Sequence, residues 1–357
     1  MFQGIFIDDI ESDKKFAQLM SSSGRLQMRF QKPTELMKLA KDIMANSPDL
    51  VALDYRLNYG YKAGPLAQQL RDQALETVTK DFPIILVSSE DDLKAFSDNV
   101  TVHSLFDRRF SKETLGNGST HRLEIFSLAK GYKQLIKHWN KKERWATFLG
   151  LSRQEKIEVA YQAIRELDRL KAPHQVARDI LRYVIDRRGL LLDKDNLLAY
   201  LGVAKAGKDV DKLLEILRAD KVVYTGVFSE GWTRWWQHRL QDWGNKLCDE
   251  HLGNMTAKQE VSCLNKKLGL RLSPAKSRWE NHSDVFFAFA CDSCHQPTED
   301  HYSVMLYDPL PYTFVHRKYI CWNCVETGEF AEKGLEIDDS QEFIVEKIVN
   351  GEIRSGT

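Results

Sequence analysis

Three short apolar runs in the first quarter of the chain each stop on a residue that a core does not keep. Gly4-Ile5-Phe6-Ile7 runs into Asp8-Asp9, Leu50-Val51-Ala52-Leu53 into Asp54, and Pro83-Ile84-Ile85-Leu86-Val87 into Ser88-Ser89. Short runs without alternation suit strands buried on both faces. Segments of helical period lie between them. Residues 13–20 carry Phe16, Leu19 and Met20 and are closed by Gly24, and Leu36, Leu39, Ala40 and Ile43 follow Pro33. Leu26-Gln27-Met28-Arg29-Phe30 alternates as a half-buried strand does, and residues 102–106 offer a last strand before Asp107-Arg108-Arg109-Phe110. Strand and helix repeated in this order predict a doubly wound parallel sheet over residues 1–115, with its ligand site beyond the carboxyl ends of the strands. A lone Asp after a strand is commonly a cap or turn residue. Acids and a hydroxyl arriving in order, each after its own strand, point instead to one shared site.

The residue types fit one chemistry. Carboxylates bind a hard cation such as Mg²⁺ through oxygen, a further carboxylate attacks phosphorus in line, and a hydroxyl hydrogen-bonds the product. The segment resembles the receiver domain of two-component response regulators. The resemblance implies Asp8, Asp9 and Asp54 as magnesium ligands and Asp54 as phosphoacceptor. It also implies Ser88 and Arg108 as phosphate contacts, Arg108 falling where the family has a lysine after its fifth strand. Arg keeps the charge but not the compact ammonium. Gly64, ten residues beyond Asp54, comes later than the family places its glycine. A histidine kinase is the implied phosphodonor.

Near the other end stand Cys291-Asp292-Ser293-Cys294 and Cys321-Trp322-Asn323-Cys324, separated by the 26 residues 295–320. Each pair forms one knuckle, and two knuckles close a tetrahedral site for a structural Zn²⁺. Residues 302–306 and 312–315 read as strands, so that 283–330 resembles a zinc ribbon. His295, His301 and His316 are alternative ligands, but four thiolates suffice. Cys248 and Cys263 lack ligand spacing and are expected as buried thiols.

Lys+Arg and Asp+Glu balance at 51 each, yet they are segregated. Residues 1–115 carry 15 basic and 17 acidic side chains, 116–282 carry 31 and 20, and 283–357 carry 5 and 14, giving −2, +11 and −9. A basic middle faces either a polyanion such as nucleic acid or the acidic end of its own chain. Residues 116–150 read as a basic linker helix, continuous over 119–148. Residues 151–282 read as a helical, winged-helix-like domain, with helices at 155–170, 174–187, 193–201 and 210–217 and a hairpin over 222–236. The helix that would read DNA offers Asp209, Asp211 and Glu215 beside Lys212, which favours protein contacts over base contacts. Trp232, Trp235, Trp236 and Trp243 are expected in a core. Residues 331–357 give an acidic helix and a loose end.

No apolar stretch reaches the roughly 18 residues that span a bilayer, and no charged segment followed by an apolar one opens the chain. A cytosolic protein is expected. Nothing resembles a P-loop, a nucleophile elbow or a His-Glu-x-x-His motif, so a non-enzymatic signalling protein is expected. It is switched by phosphorylation of Asp54 or by partner docking, with protein contacts as its output. Two alternatives stand beside it: a phosphorylation-independent adaptor in a bacterial multi-gene system of the phage-defence type, and a DNA-binding transcriptional regulator.

Overall fold

The computed structural model describes the chain apart from residues 58–60, 98–99, 116–118, 153, 156–158, 160–165, 310–312 and 355–357. It divides into two units, Met1–Arg182 with Thr225–Trp232, and Tyr183–Tyr224 with Thr233–Thr357. Among the described residues no helix is long and apolar enough to cross a membrane.

The first unit is built on a parallel sheet of β1 (Phe2–Ile7), β2 (Leu26–Gln31), β3 (Leu50–Leu53), β6 (Ile84–Ser88) and β7 (Arg108–Ser111), in the order β2-β1-β3-β6-β7. Counting these strands alone the order is 2-1-3-4-5, the doubly wound arrangement of flavodoxin and of receiver domains. Leu50 to Leu53 and Ile84 to Val87 are fully buried, as unbroken apolar runs require. Helices α1 (Lys14–Met20), α2 (Leu36–Asn46), α3 (Ala63–Glu76) and α4 (Glu90–Ser97) lie between the strands. The start of α2 is set by Glu35, whose carboxylate accepts from the backbone N–H groups of Met37 and Lys38 at 3.0 and 2.9 Å. Those donors have no partner within the helix.

Residues 102–106 do not form the fifth strand. Val100–His103 is the short helix α5, and β7 begins at Arg108. Val102 packs on the core, and Phe106 meets Phe96 edge to face at 5.5 Å, so the apolar run faces inward without being a strand. β7 is an edge strand in which only Phe110 is buried. Its polar sequence is what an exposed edge carries, and it hides the strand from a hydrophobic reading.

Residues 119–148 form two helices instead of one, α7 (Ser119–Lys137) and α8 (Arg144–Leu149), after α6 (Lys112–Leu115). Glu143 precedes α8 with φ at 52°, in the left-handed region that no helix continues through. α7 is not a free-standing linker. Phe126 meets Phe2 at 5.6 Å, and Leu128, Ala129 and Leu135 are buried. Lys133 pairs with Asp49 at 2.7 Å. The segment Thr225–Trp232 packs here too: Val227 N–H donates to the Phe148 carbonyl at 2.8 Å, and the Phe228 ring covers Gly131. Most of the helix expected at 155–170 lies outside the described residues. The helix expected at 174–187 appears as Pro173–Asp179, continued by a π-type turn at Ile180–Ile185.

The amino ends of β6 and β7 are fastened by buried charge. Arg71 of α3 donates to Asp81 at 3.1 Å and to Asp107 at 2.8 Å. Asp107 also takes the Ile84 N–H at 2.8 Å and the Tyr132 hydroxyl at 2.6 Å. Asp81 takes the His174 backbone N–H at 2.7 Å, and its ring Nδ1 lies at 2.8 Å. Every carboxylate oxygen in this buried cluster is thus engaged, the condition under which buried ions are tolerated.

In the second unit the helices Lys194–Tyr200, Val210–Ala219, Gln237–Cys248 and Ala257–Leu268 share a core containing Leu197, Leu213, Leu240 and Leu264. β8 (Leu191–Leu192) pairs antiparallel with β9 (Trp235–Trp236), and Val223 bridges Trp235. The hairpin expected over 222–236 therefore forms only at its base. Trp232, Trp235 and Trp236 are buried, Trp232 in the first unit, while the half-buried Trp243 donates to Asp220 at 2.8 Å. Cys248 and Cys263 are not buried thiols: they are half-buried and joined in a disulfide between two packed helices. Their 15-residue separation is set by the turn between those helices, which spacing alone does not reveal.

Candidate functional site

The sheet brings the polar ends of its strands together. Asp54 follows β3, and its N–H donates to the Ile7 carbonyl at 2.9 Å, which aligns it with the end of β1. Its Oδ1 accepts from Ser88 Oγ at 3.0 Å and from Lys112 Nζ at 2.8 Å, and its Oδ2 accepts from the Arg56 N–H at 2.8 Å. Asp8 is fully buried; its Oδ1 takes the Ile10 N–H at 2.9 Å and its Oδ2 takes Lys112 Nζ at 2.8 Å. Asp13, from the turn Glu11–Asp13, takes the same ammonium at 2.7 Å. Asp9 is half-buried next to Asp8.

Charge explains the arrangement. Burial raises the pKa of Asp8, while the Lys112 and Ile10 hydrogen bonds pull it back. Burial alone would lower that of Lys112, but its hydrogen bonds to Asp13, Asp54 and Asp8 outweigh the loss of water and hold it above the ordinary lysine value. The ammonium is therefore charged, surrounded by three carboxylates.

Arg108 is not in this group. The register pairs Ser88 with Ser111 and Ile85 with Arg108. Arg108 thus lies three residues short of the strand end that reaches Asp54, about 10 Å at 3.3 Å per residue. Its guanidinium stacks on the Trp232 ring at 4.8 Å. The cation that meets the acids is Lys112, the first residue of α6. The misplacement follows from setting the fifth strand at 102–106; a strand ending at Ser111 makes Lys112 the next residue. Asp13, which opens α1, carried no sequence signal of its own.

The loop after Asp54 has a definite shape at its base. Arg56–Leu57 and Tyr61–Lys62 pair antiparallel as β4 and β5, and the Ala63 N–H donates to the Tyr55 carbonyl at 2.9 Å. These residues account for the late position of Gly64, the second residue of α3. Of the residues in this loop, Asn58, Tyr59 and Gly60 lie outside the described residues.

A second cluster forms in the other unit. The sulfurs of Cys291, Cys294, Cys321 and Cys324 all lie within 4.8 Å of one another. Neighbouring sulfurs stand at 3.5 Å (Cys321–Cys324) and 3.8 Å (Cys291–Cys324 and Cys294–Cys321). A tetrahedron with metal–sulfur bonds of about 2.3 Å has edges of about 3.8 Å, so the set fits one metal ion and is too open for disulfides. Backbone N–H groups of Ser293, Cys294 and Cys321 reach Cys291 Sγ at 3.4, 3.5 and 3.2 Å, the geometry of a knuckle. Around the cluster β10 (Phe289–Ala290) pairs with β11 (Pro297–Thr298), and β12 (Ser303–Met305) pairs with β13 (Tyr319–Cys321). The strand expected at 312–315 is displaced to β13: residues 313–315 are turns, and Tyr312 lies outside the described residues. The helix expected in the acidic end is Glu342–Val349, and Phe330, Leu335, Ile344 and Ile348 pack on this core, while residues 355–357 lie outside the described residues.

No protein-family model and no curated protein matches this sequence. Solved structures similar to part of it include a receiver domain (CheY-like) from Methylobacillus flagellatus, with 18% identity over 31% of this chain and 86% of that one, at a TM-score of 0.25. A DNA-binding response regulator of the LuxR family from Staphylococcus aureus shares 18% identity over 38% of this chain and 98% of its own, with a TM-score of 0.27. The receiver domain of the Francisella response regulator 1452 shares 16% over 39% and 100%, with a TM-score of 0.26. On its own strand order and crossovers, the amino-terminal part of this chain has the receiver fold, and its carboxyl-terminal part carries a four-cysteine cluster able to hold a metal ion.

Proposed function

We propose that this chain is a signalling protein of the response-regulator kind, with Asp54 as phosphoacceptor. The observation that carries the reading is the sharing of Asp54 Oδ1 between the Ser88 hydroxyl and the Lys112 ammonium, beside the buried Asp8. Asp8, Asp9 and Asp54 would hold Mg²⁺, which supplies neutralising charge to phosphoryl oxygens when bound. An Asp54 oxygen attacks phosphorus of a phosphohistidine or a small acyl phosphate, and the bond from phosphorus to the donor breaks. Ser88 and Lys112 then turn their hydrogen bonds from the carboxylate to the phosphoryl oxygens, and α4 and α6, which follow them, move with them.

The four cysteines would hold a structural Zn²⁺, the ion suited to a closed thiolate set. The order of strands and helices from β8 to β9 supports reading this part as a winged-helix-like module. Asp211, Lys212 and Glu215 are exposed on the helix that would face a groove, so this part is assigned to protein contacts. A role in signalling, not in catalysis, follows from these assignments.

A second reading is favoured by one observation: the Lys112 ammonium bonds Asp8, Asp13 and Asp54 at once. In that reading the site is a fixed ionic knot and the chain is a phosphorylation-independent adaptor. Intact mass after acetyl phosphate and Mg²⁺ separates the two. The first reading expects one phosphoryl adduct, absent from Asp54→Ala. A wild-type chain that takes no adduct and binds no beryllofluoride refutes it and leaves the adaptor.

A further inference from the structure

We propose that Arg278 is the counter-charge of the four-cysteine centre, and that the loaded centre in turn latches the turn 277–282 on which Arg278 stands. The inference rests on the reading that these cysteines hold a divalent thiophilic ion such as Zn²⁺. Four thiolates around such an ion leave a formal excess of two negative charges, which a partly buried site must offset. Cys291 already receives three backbone N–H groups. Arg278 Nη1 serves the opposite knuckle, 3.7 Å from Cys324 Sγ and 3.9 Å from Cys321 Sγ. Glu329 is an adverse neighbour, 3.6 Å from Cys324 Sγ, but Lys333 neutralises it at 2.6 Å.

The same knuckle grips the turn. Its two middle residues both reach across: Asn323 Nδ2 donates to the Arg278 carbonyl at 3.2 Å, and the Trp322 ring meets Trp279 edge to face at 5.3 Å. Tyr302, itself 5.3 Å from Trp322, bonds Glu280 through its hydroxyl. The turn is held in shape from within, Ser277 Oγ accepting from the N–H groups of Trp279 and Glu280 at 3.2 and 3.0 Å. Positions 322 and 323 lie between two ligands, so their direction is fixed by the metal. Loss of the ion frees both and removes the charge that draws Arg278. The centre then ties the ribbon to the segment leaving the helix Ala257–Leu268, beyond folding the ribbon itself.

The test uses the full chain, with zinc content measured first. Zinc transfer to a chromophoric chelator is then timed for wild type, Arg278→Lys and Arg278→Ala. Arg278 is exposed, so neither change empties a core, and far-UV circular dichroism checks the fold. Arg278→Ala is expected to release zinc roughly tenfold faster, with Arg278→Lys between. Stripping zinc from wild type is expected to open the turn to trypsin at Lys276 and Arg278. Zinc release at the wild-type rate from Arg278→Ala overturns the counter-charge role, and a turn that stays protected after zinc is stripped overturns the latch, each without touching the metal reading. A chain that carries no zinc and takes none up overturns the metal reading and the latch together.

Discussion

Replacing Lys112 by alanine removes one cation from contact with three carboxylates. The side chains involved are 13% exposed for Lys112, 0% for Asp8, 14% for Asp13 and 7% for Asp54. Breaking a buried ion pair costs about 3–5 kcal/mol, because the remaining charge is left uncompensated. Two features of the site soften the loss. Water reaches Asp13, and Asp8, whose pKa burial already raises, can take up a proton. The expected cost at neutral pH is therefore at the lower end, about 3 kcal/mol. It shrinks as pH falls, since a carboxyl with a raised folded pKa favours the folded state on the acid side and loses that advantage as pH rises through it. A divalent cation at about a hundred times its Kd returns about 2.7 kcal/mol, close to full compensation. Urea unfolding in chelator and in Mg²⁺ reads both effects as a lower midpoint at unchanged slope. Arg108→Ala serves as comparator: it loses a stacking contact with Trp232, about 0.5–1 kcal/mol, at a distance from the three acids. If Arg108→Ala is the costlier variant in chelator, or if Mg²⁺ does not rescue Lys112→Ala, the assignment of Lys112 as the site's cation is wrong.

Burial pushes the Glu260 carboxyl up to about 9 from 4.5. Stability is expected to fall as pH rises between those values, by up to about 1.4 kcal/mol per pH unit, and Glu260→Gln should flatten that slope in urea midpoints. A Cβ at Gly131 would stand 2.2 Å from Phe228 Cε1, so Gly131→Ala should overpack the α7 contact and destabilise by about 1–3 kcal/mol; a thermal scan showing no loss would contradict the contact. Cys291→Ser should lose bound metal and hydrogen-exchange protection in β12 and β13, since the metal's binding energy is folding energy there.

The central strands were legible because they are buried on both faces, and unbroken apolar runs such as Ile84-Ile85-Leu86-Val87 have no other economical use. The edge strand was not. Arg108-Arg109-Phe110-Ser111 hides its extended backbone behind polar residues, while the apolar 102–106 satisfies the core as a helix and turn. That single misplacement carried the site's cation to the wrong residue, since the side chain that reaches Asp54 depends on where the strand ends. Asp8 and Asp54 were readable because each directly follows its strand, and Ser88 because it ends its own. Asp13 was not, for it arrives through a turn whose path only tertiary packing fixes. The four cysteines needed no fold at all: a two-residue gap is a local constraint, and sequence states local constraints openly. The Cys248–Cys263 bond, by contrast, joins neighbours made by helix packing.

The Arg71 cluster pins the roots of β6 and β7, while Ser88 and Lys112 stand at their tips. A guanidinium wedged between Asp81 and Asp107 prevents either strand from sliding lengthwise past the other. Any rearrangement at Asp54 must then be absorbed above Ser88 and Ser111, in the first turns of α4 and α6. If Asp54 were modified, a partner sensing the change would meet it there, as a bent rim over an unmoved floor.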